Sequence, residues 1–230
     1  MKLETIKTKR LYVQVAEQIS RLVSDGNIAI GEKLPAERDL AEKLGVSRPT
    51  VREAMIALEI QGVVEIRTGS GIYILEPKPQ LSVNDAGVGP FEILDTRLII
   101  ETEACALAAS HISAKQIKQL KHLVTEMQLE ETQADASERA DMKFHLVIAE
   151  ASQNSAISTI VKWLWDLRNQ SHLSQVFMAK VREEGIHPSI NEHIQIISAL
   201  ESGDGQRAKE AMAAHIIKAS QAAAQYFNAN

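Results

Sequence analysis

The chain has 230 residues, of which 45% are hydrophobic, and a formal net charge of -5 at pH 7, which suits a globular protein of two small domains. No apolar run reaches the roughly 20 residues that a membrane-spanning helix needs, and the amino terminus MKLETIKTKR lacks the apolar segment of a signal peptide. A single cysteine, Cys105, excludes an internal disulfide framework and is expected to be a small buried residue. We therefore expect a cytoplasmic protein without a membrane partner.

Three short helical segments are predicted at the start of the chain. Residues 11 to 24 form the first, with apolar side chains at helical spacing, and residues 36 to 44 form the second, which ends at Gly45. Ser47 is the predicted N-cap of the third, which ends at Gly62. The predicted apolar stripe of the first segment is Leu11, Val15, Ile19 and Leu22.

After the third helix the spacing of the apolar residues changes from that of a helix to that of β-strands. Residues 63 to 68 and 72 to 75 are rich in β-branched side chains and are joined by a GSG stretch, which predicts a β-hairpin. Three helices followed by a hairpin are the order of a winged helix-turn-helix, so we assign residues 1–76 to such a domain. Residues 77–90, rich in proline and polar side chains, are predicted to be a linker.

Residues 91–230 contain helical patterns and no strand signal. The fold class is therefore mostly α, with an amino-terminal winged helix-turn-helix and a carboxy-terminal all-helical bundle. The helices are predicted at about 91–110, 114–131, 137–152, 155–180, 188–201 and 205–227.

The third helix is predicted to read DNA. Residues 1–75 carry 11 basic and 10 acidic side chains, so the placement of the arginines has to identify the surface rather than the net charge. In a helix-turn-helix the first residues of the second helix meet base edges, and arginine bonds bidentately to guanine. The alternative for any single arginine is solvated surface charge, for instance an ion pair of Arg52 with Glu53 or Glu59.

The stretch GEKLPAERDLAEKLGVSRPTVREAMIALEIQGVVEIRTGSGIYI resembles the amino-terminal signature of GntR-family bacterial transcription regulators. Pro49 departs from some relatives, which carry a polar residue there, and is expected to contribute shape rather than a hydrogen bond. The family's DNA contacts, carried over by motif position, fall on Arg38, Ser47, Arg48, Thr50, Arg52 and Gly69.

A second constellation lies in the helical part. Asp141 and His145 are four residues apart and share one helix face. His193 precedes Asp204 by 11 residues and His215 follows it by 11, so an antiparallel helical hairpin places both imidazoles at the same height. Three inward imidazoles and one carboxylate predict a site for a divalent metal ion, with zinc favoured and nickel or manganese also compatible.

The helical part also resembles the ligand-binding domain of the FadR subfamily, through FEILDTRLIIETEACALAA, DMKFHLVIAEASQN and NEHIQIISAL. In one branch of that subfamily an Asp and three His bind a metal beneath an effector cavity, and the motif positions are the same four residues. The resemblance further implies effector contacts at Arg97 and Asn154. The alternatives are an i,i+4 salt bridge from Arg97 to Glu101 and a helix cap at Asn154.

These features predict a homodimeric repressor that binds a pseudo-palindromic operator and releases it when a small carboxylate enters the helical domain. Several stretches, among them LYVQVAEQI and GPFEILDTR, resemble the repressors of hexuronate utilisation, so a sugar acid is the expected effector. Lactate, galactonate or a similar carboxylate is the alternative. Two further alternatives are a helical metalloenzyme acting on a sugar acid and a metal with a purely structural role.

Overall fold

The computed structural model describes residues 9–76, 87–130, 138–183, 185 and 189–227, so residues 77–86 of the predicted linker lie outside it. The described residues are mostly helical, as predicted, and contain one two-stranded antiparallel sheet. The elements are α1 (Leu11–Ser24), α2 (Glu37–Leu44), α3 (Arg48–Ile60), β1 (Val64–Arg67), β2 (Gly71–Ile74), α4 (Pro90–Ala109), α5 (Ala114–Glu130), α6 (Arg139–Ala151), α7 (Ser155–Gln170), α8 (His172–Glu183), α9 (Ile190–Glu201) and α10 (Gly205–Gln225).

The chain divides into two compact units. The first unit comprises Met1–Glu92, Ser171–Ala179 and Ala224–Asn230, and the second comprises Ile93–Gln170 and Lys180–Ala223. None of the described helices has the length and apolar character needed to cross a bilayer.

In the first unit, α1 and α2 pack on α3 and the hairpin follows α3. Leu11 and Leu22, predicted to lie on the buried stripe of α1, are exposed. The buried face of α1 is centred one residue further along, because Tyr12, which is larger than Leu11, is the side chain that enters the core. That face consists of Tyr12, Val13, Val15, Ala16, Ile19 and Val23.

The first unit also contains an aromatic cluster that the sequence did not indicate. Phe91 from the first turn of α4 lies 5.5 Å from Phe177 of α8 and 6.0 Å from Phe227, measured between ring centroids. Tyr226 contacts both Phe177 and Phe227 and donates a hydrogen bond to Glu59 on α3. Three of the chain's four phenylalanines therefore stabilise the unit that contains the winged helix.

The single helix predicted over 155–180 is two helices that meet at Ser171. The Ser171 hydroxyl accepts a hydrogen bond from the backbone N–H of Ser174, which caps α8, and donates to the carbonyl of Val88. Gly87 lies against this serine with φ of 106°, and a Cβ there would come within 2.8 Å of the Ser171 hydroxyl oxygen. The cap at Ser171 and its contact with Val88 terminate α7, although apolar residues continue at helical spacing beyond this point.

The second unit packs α4, α5, α6, α9 and α10 around a core that includes Cys105, Leu120, Phe144, Ile196 and Met212. Its last two helices form the predicted hairpin, with a short turn at residues 202–204. Gly205 begins α10, and a Cβ at this position would lie 3.0 Å from the carbonyl oxygen of Ala106 on α4. The turn is therefore held closely against α4.

Candidate metal centre and nucleic-acid interface

The start of α3 has the capped geometry that DNA-reading helices need. Ser47 is extended, and its hydroxyl accepts a hydrogen bond from the backbone N–H of Thr50 at 3.2 Å. The same hydroxyl lies 2.8 Å from the hydroxyl of Thr50, so these two predicted DNA contacts also bond to each other. Pro49 occupies the first turn, where its missing N–H costs no helical hydrogen bond.

The three predicted arginine contacts differ in exposure. The side chain of Arg38 is 75% exposed, and that of Arg48 is 56% exposed at 3.9 Å from Glu37. The side chain of Arg52 is only 16% exposed, because it pairs with Glu37 at 2.6 Å and covers the Phe91 ring at 4.7 Å. Arg38 and Arg48 are thus open to a nucleic acid, whereas Arg52 would have to leave two partners.

The hairpin provides the wing. Gly69 has a φ of 73° with no atom within 4 Å of a Cβ placed on it, so its conformation favours glycine and its surroundings are open. Lys33 was not predicted as a contact, yet its side chain lies over Gly71 of the wing. It lines a cleft of about 390 Å³ together with Arg38, Arg48 and Arg52. Lys33 stands inside the stretch that resembles the family signature, but its proximity to Gly71 and α3 is visible only in three dimensions.

The four predicted metal ligands come together in the second unit. Ligand atoms of Asp141, His145, His193 and His215 all lie within 4.8 Å of one another, and all four residues are buried. Asp141 Oδ1 lies 2.9 Å from His193 Nε2 and 3.5 Å from His145 Nε2. The structure therefore brings together a carboxylate from α6 and imidazoles from α6, α9 and α10.

Each imidazole has an acceptor on its outer side. Nδ1 of His193 lies 2.9 Å from the carbonyl oxygen of Ser189, and Nδ1 of His215 lies 3.1 Å from Glu192. Nδ1 of His145 is in contact with a carboxylate oxygen of Glu101. An acceptor at Nδ1 places the proton there and leaves Nε2 as the ligand nitrogen, which is the arrangement of metal-binding histidines in proteins.

Burial and charge shift the protonation of this cluster. Burial alone raises the pKa of Asp141, but the imidazoles of His145 and His193 outweigh it and hold the pKa of the carboxyl well below its usual range. Burial lowers the pKa of His215 to about 4. Asp141 is therefore ionised and His215 neutral at pH 7, which are the protonation states that metal binding requires.

The residues fit a divalent metal ion. Both ring nitrogens of His145 are buried, and neither makes a hydrogen bond of regular geometry to a residue that the structure describes, although Nδ1 contacts Glu101. Such atoms are rare in protein cores. Three imidazole nitrogens and one carboxylate oxygen form a donor set that zinc prefers. A bound cation would satisfy His145 and would neutralise the buried carboxylate of Asp141.

The two predicted effector contacts are found in different surroundings. Arg97 is buried, donates to Glu101 through Nε at 2.7 Å and through a terminal nitrogen at 3.3 Å, and covers the Trp165 ring at 4.2 Å. Since Glu101 also contacts His145, Arg97 is two contacts away from a predicted metal ligand. Asn154 is exposed, and its side-chain oxygen accepts from the N–H groups of Ala156 and Ile157, which caps α7.

Glu101 is the site residue that the sequence reasoning considered only as a salt-bridge partner. Burial raises its pKa, but the charges of Arg97 and His145 lower it by more, to about 2. Its spacing of four from Arg97 was a signal for the pair. No spacing relates it to His145, which lies 44 residues further along.

These features define a DNA-binding protein with a buried cluster of histidines and an aspartate, in a helical unit, that could hold a metal ion. Residues 11–74 match the family described as bacterial regulatory proteins, gntR family, and residues 92–218 match the FCD domain. The chain therefore belongs to the GntR family of bacterial transcription regulators and carries an FCD domain as its ligand-binding region. This confirms the predicted regulator and gives the enzyme alternative no support.

Two curated relatives and one solved structure are similar over most of the chain. The Uxu operon regulator of Haemophilus influenzae is 33% identical over 90% of this chain and 79% of its own. The Exu regulon transcriptional regulator of Escherichia coli K12 is 34% identical over 93% of this chain and 84% of its own. A GntR-family regulator from Pseudomonas syringae pv. tomato shares the fold, with a TM-score of 0.51, 22% identity and coverage of 94% and 85%.

Proposed function

We propose that this regulator is a homodimeric repressor of sugar-acid catabolism, with a hexuronate as the effector, and that it releases a pseudo-palindromic operator when the acid binds in the second unit. The observation that carries the proposal is the buried cluster of Asp141 and three histidines, with the buried cation of Arg97 two contacts away. A carboxylate ligand needs such a cation, because burying an unpaired negative charge is costly.

The metal ion that we propose is zinc, held by Asp141, His145, His193 and His215. When bound, it supplies a Lewis-acidic centre that a carboxylate and a neighbouring hydroxyl of a sugar acid can chelate. Arg97 then provides the second anchor for the carboxylate, and Asn154 stays a predicted effector contact. The outer acceptors of the three histidines hold their rings in place for this task.

Operator binding is assigned to the first unit. Arg48 is predicted to meet base edges, and Arg38 is placed to reach the backbone or a base. Ser47 and Gly69 are predicted to approach the sugar-phosphate backbone. Thr50 is predicted to lie with Arg48 where the start of α3 meets base edges, and Arg52 is a contact only if Glu37 releases it. Two copies are needed because successive major grooves of a pseudo-palindrome lie about one helical turn apart.

Release of the operator must arise because the effector binds two arrangements of the domains with different affinities. An effector that binds more tightly to one domain arrangement shifts the population toward it, and if that arrangement mismatches the groove spacing, operator affinity falls. DNA weakens effector binding by the same factor.

The choice of a hexuronate rests on sequence similarity. Two relatives carry the names Uxu operon regulator and Exu regulon transcriptional regulator, and several stretches of this chain resemble hexuronate-utilisation repressors. Lactate, galactonate or a similar carboxylate is the alternative effector within the same family.

A mobility-shift titration tests the proposal. The zinc-loaded protein bound to operator DNA is titrated with glucuronate, galacturonate, fructuronate, tagaturonate, lactate and galactonate. We expect release by at least one hexuronate at a concentration that leaves an Asp141→Ala variant bound. Release by lactate alone would overturn the hexuronate assignment, and release of the variant at the same concentration would overturn the role of the metal site.

A further inference from the structure

The three outer acceptors of the histidine cluster are not equivalent. His193 uses a backbone carbonyl, whereas His145 and His215 use the carboxylates of Glu101 and Glu192. Each carboxylate also has a second partner, which is a cationic side chain. The partner of Glu192 is Lys218, 3.3 Å away and with a side chain that is 58% exposed to solvent.

Glu101 is in a different position, because its second partner is buried. Arg97 binds it through two hydrogen bonds, and both side chains are almost fully enclosed. Water cannot replace a lost partner at such a site, so each donor that Glu101 binds weakens its bond to the other. Solvent screens the corresponding competition at Glu192.

We propose that Glu101 is a positioning residue through which Arg97 controls the strength of metal binding. Withdrawing Arg97 from Glu101 leaves the carboxylate bound more strongly to Nδ1 of His145, and this makes Nε2 a better donor to the metal. The inference rests on the proposed function, in which an effector carboxylate is what engages Arg97. Effector and metal then bind cooperatively, and by linkage a bound metal weakens the ion pair between Glu101 and Arg97.

A double-mutant cycle with zinc alone tests this coupling. The dissociation constant of zinc is measured by competition with a chromophoric chelator for the wild type, Arg97→Gln, Glu101→Gln and the double variant. We expect Arg97→Gln to bind zinc about 5-fold or more tightly, and Glu101→Gln to bind it about 10-fold or more weakly. The double variant should bind zinc within about 2-fold of Glu101→Gln.

The cycle separates the proposal from simple electrostatics. Removing a positive charge near a cation site also strengthens cation binding through space, and that effect is independent of residue 101. The proposal is therefore overturned if Arg97→Gln tightens zinc binding by the same factor in both backgrounds, or does not tighten it at all. As a matched control, Lys218→Gln removes the exposed partner of Glu192 and should change zinc affinity by less than about 2-fold.

A second variant covers a failure of Glu101→Gln to fold, which circular dichroism would reveal. Glu101→Asp retains the charge opposite Arg97 but is too short to reach both partners. It should weaken zinc binding by about 10-fold or more and abolish the effect of Arg97→Gln, and unchanged zinc binding would contradict the inference.

If the wild type binds no zinc, the proposed metal site fails; if it binds zinc but no sugar acid releases DNA, only the proposed effector fails.

Discussion

Arginine is used in two different ways in the two units. Arg48 in the first unit has a side chain that is 56% exposed and lies 3.9 Å from its nearest acidic partner, Glu37. Arg97 in the second unit is buried, bonded twice to Glu101 and placed over Trp165. The first guanidinium is available to a new partner at little cost, since exposed ion pairs contribute little to stability.

The second guanidinium can accept a ligand only by exchanging partners. A buried charge left without a counter-ion is costly, so an arriving carboxylate has to compensate for whatever it displaces. DNA binding should therefore be additive and sensitive to salt, whereas effector binding should be an exchange that disturbs Glu101 and, through it, the metal site. The following experiments sharpen this contrast or break it.

The largest effect is expected from Asp141→Ala. Removing the only carboxylate among the four proposed ligands should weaken zinc binding by more than about 100-fold, since even outer partners of metal ligands contribute 10- to 100-fold. Operator binding without effector should persist, because Asp141 belongs to the second unit. Zinc competition and mobility shifts measure both quantities, with Asp166→Ala as the control. Loss of DNA binding in a folded Asp141→Ala protein would contradict the separation of the two functions.

Arg48→Ala is expected to affect operator binding and not metal binding. Loss of one bidentate base contact should weaken operator binding by about 1–3 kcal/mol and leave zinc affinity unchanged. Fluorescence anisotropy with labelled operator DNA measures the affinity at several salt concentrations. Arg207→Ala, which removes an exposed arginine of the second unit, serves as the control. Equal losses for the two variants would show a nonspecific charge effect.

Ser47→Ala should have a smaller effect, both on the stability of the fold and on operator binding. The variant loses the hydrogen bond to the backbone N–H of Thr50 that caps α3, and we expect a loss of about 1 kcal/mol in the free energy of unfolding. Urea unfolding followed by circular dichroism measures it. Ser24→Ala, at the exposed end of α1, should stay within about 0.5 kcal/mol of the wild type. An unchanged stability for Ser47→Ala would mean that the cap has no energetic role.

The smallest expected effect concerns Cys105 and the role of the metal. Burial raises the pKa of this thiol to about 12, so iodoacetamide at pH 8 should modify the folded protein slowly. If the metal serves effector binding rather than folding, chelation by EDTA should not speed the reaction measurably. Mass spectrometry follows the modification, and urea-unfolded protein is the positive control. Rapid labelling after chelation would support a structural metal instead.

The sequence was informative wherever a local pattern determines geometry. The equal spacing of His193 and His215 from Asp204 predicted that the two imidazoles meet, because helices of regular rise joined by a short turn leave little freedom. Ser47 and the glycines around α2 and α3 predicted the winged helix in the same way. Such signals depend on residues close together in the chain.

Contacts between distant segments could not be predicted in this way. Phe91, Phe177 and Phe227 read as ordinary apolar positions of three helices, and nothing local shows that they meet in the first unit. The contact of Glu101 with His145 joins α4 to α6 with no shared pattern. At Ser171 a capping signal competed with a continuous apolar period, and the contact with Val88 that decides between them comes from a segment far away in the chain.

The turn between α9 and α10 has a consequence for how the family can diversify at this point. Surface turns are ordinarily where insertions are tolerated. Here one added residue would turn His215 by roughly 100° around its helix axis or displace it by about 1.5 Å relative to His193. A side chain at Gly205 would also press on the carbonyl of Ala106. Although the turn lies on the surface, functional variants should keep its length as strictly as they keep the two histidines. In a library of one-residue insertions, those in this turn should therefore be absent from the functional variants.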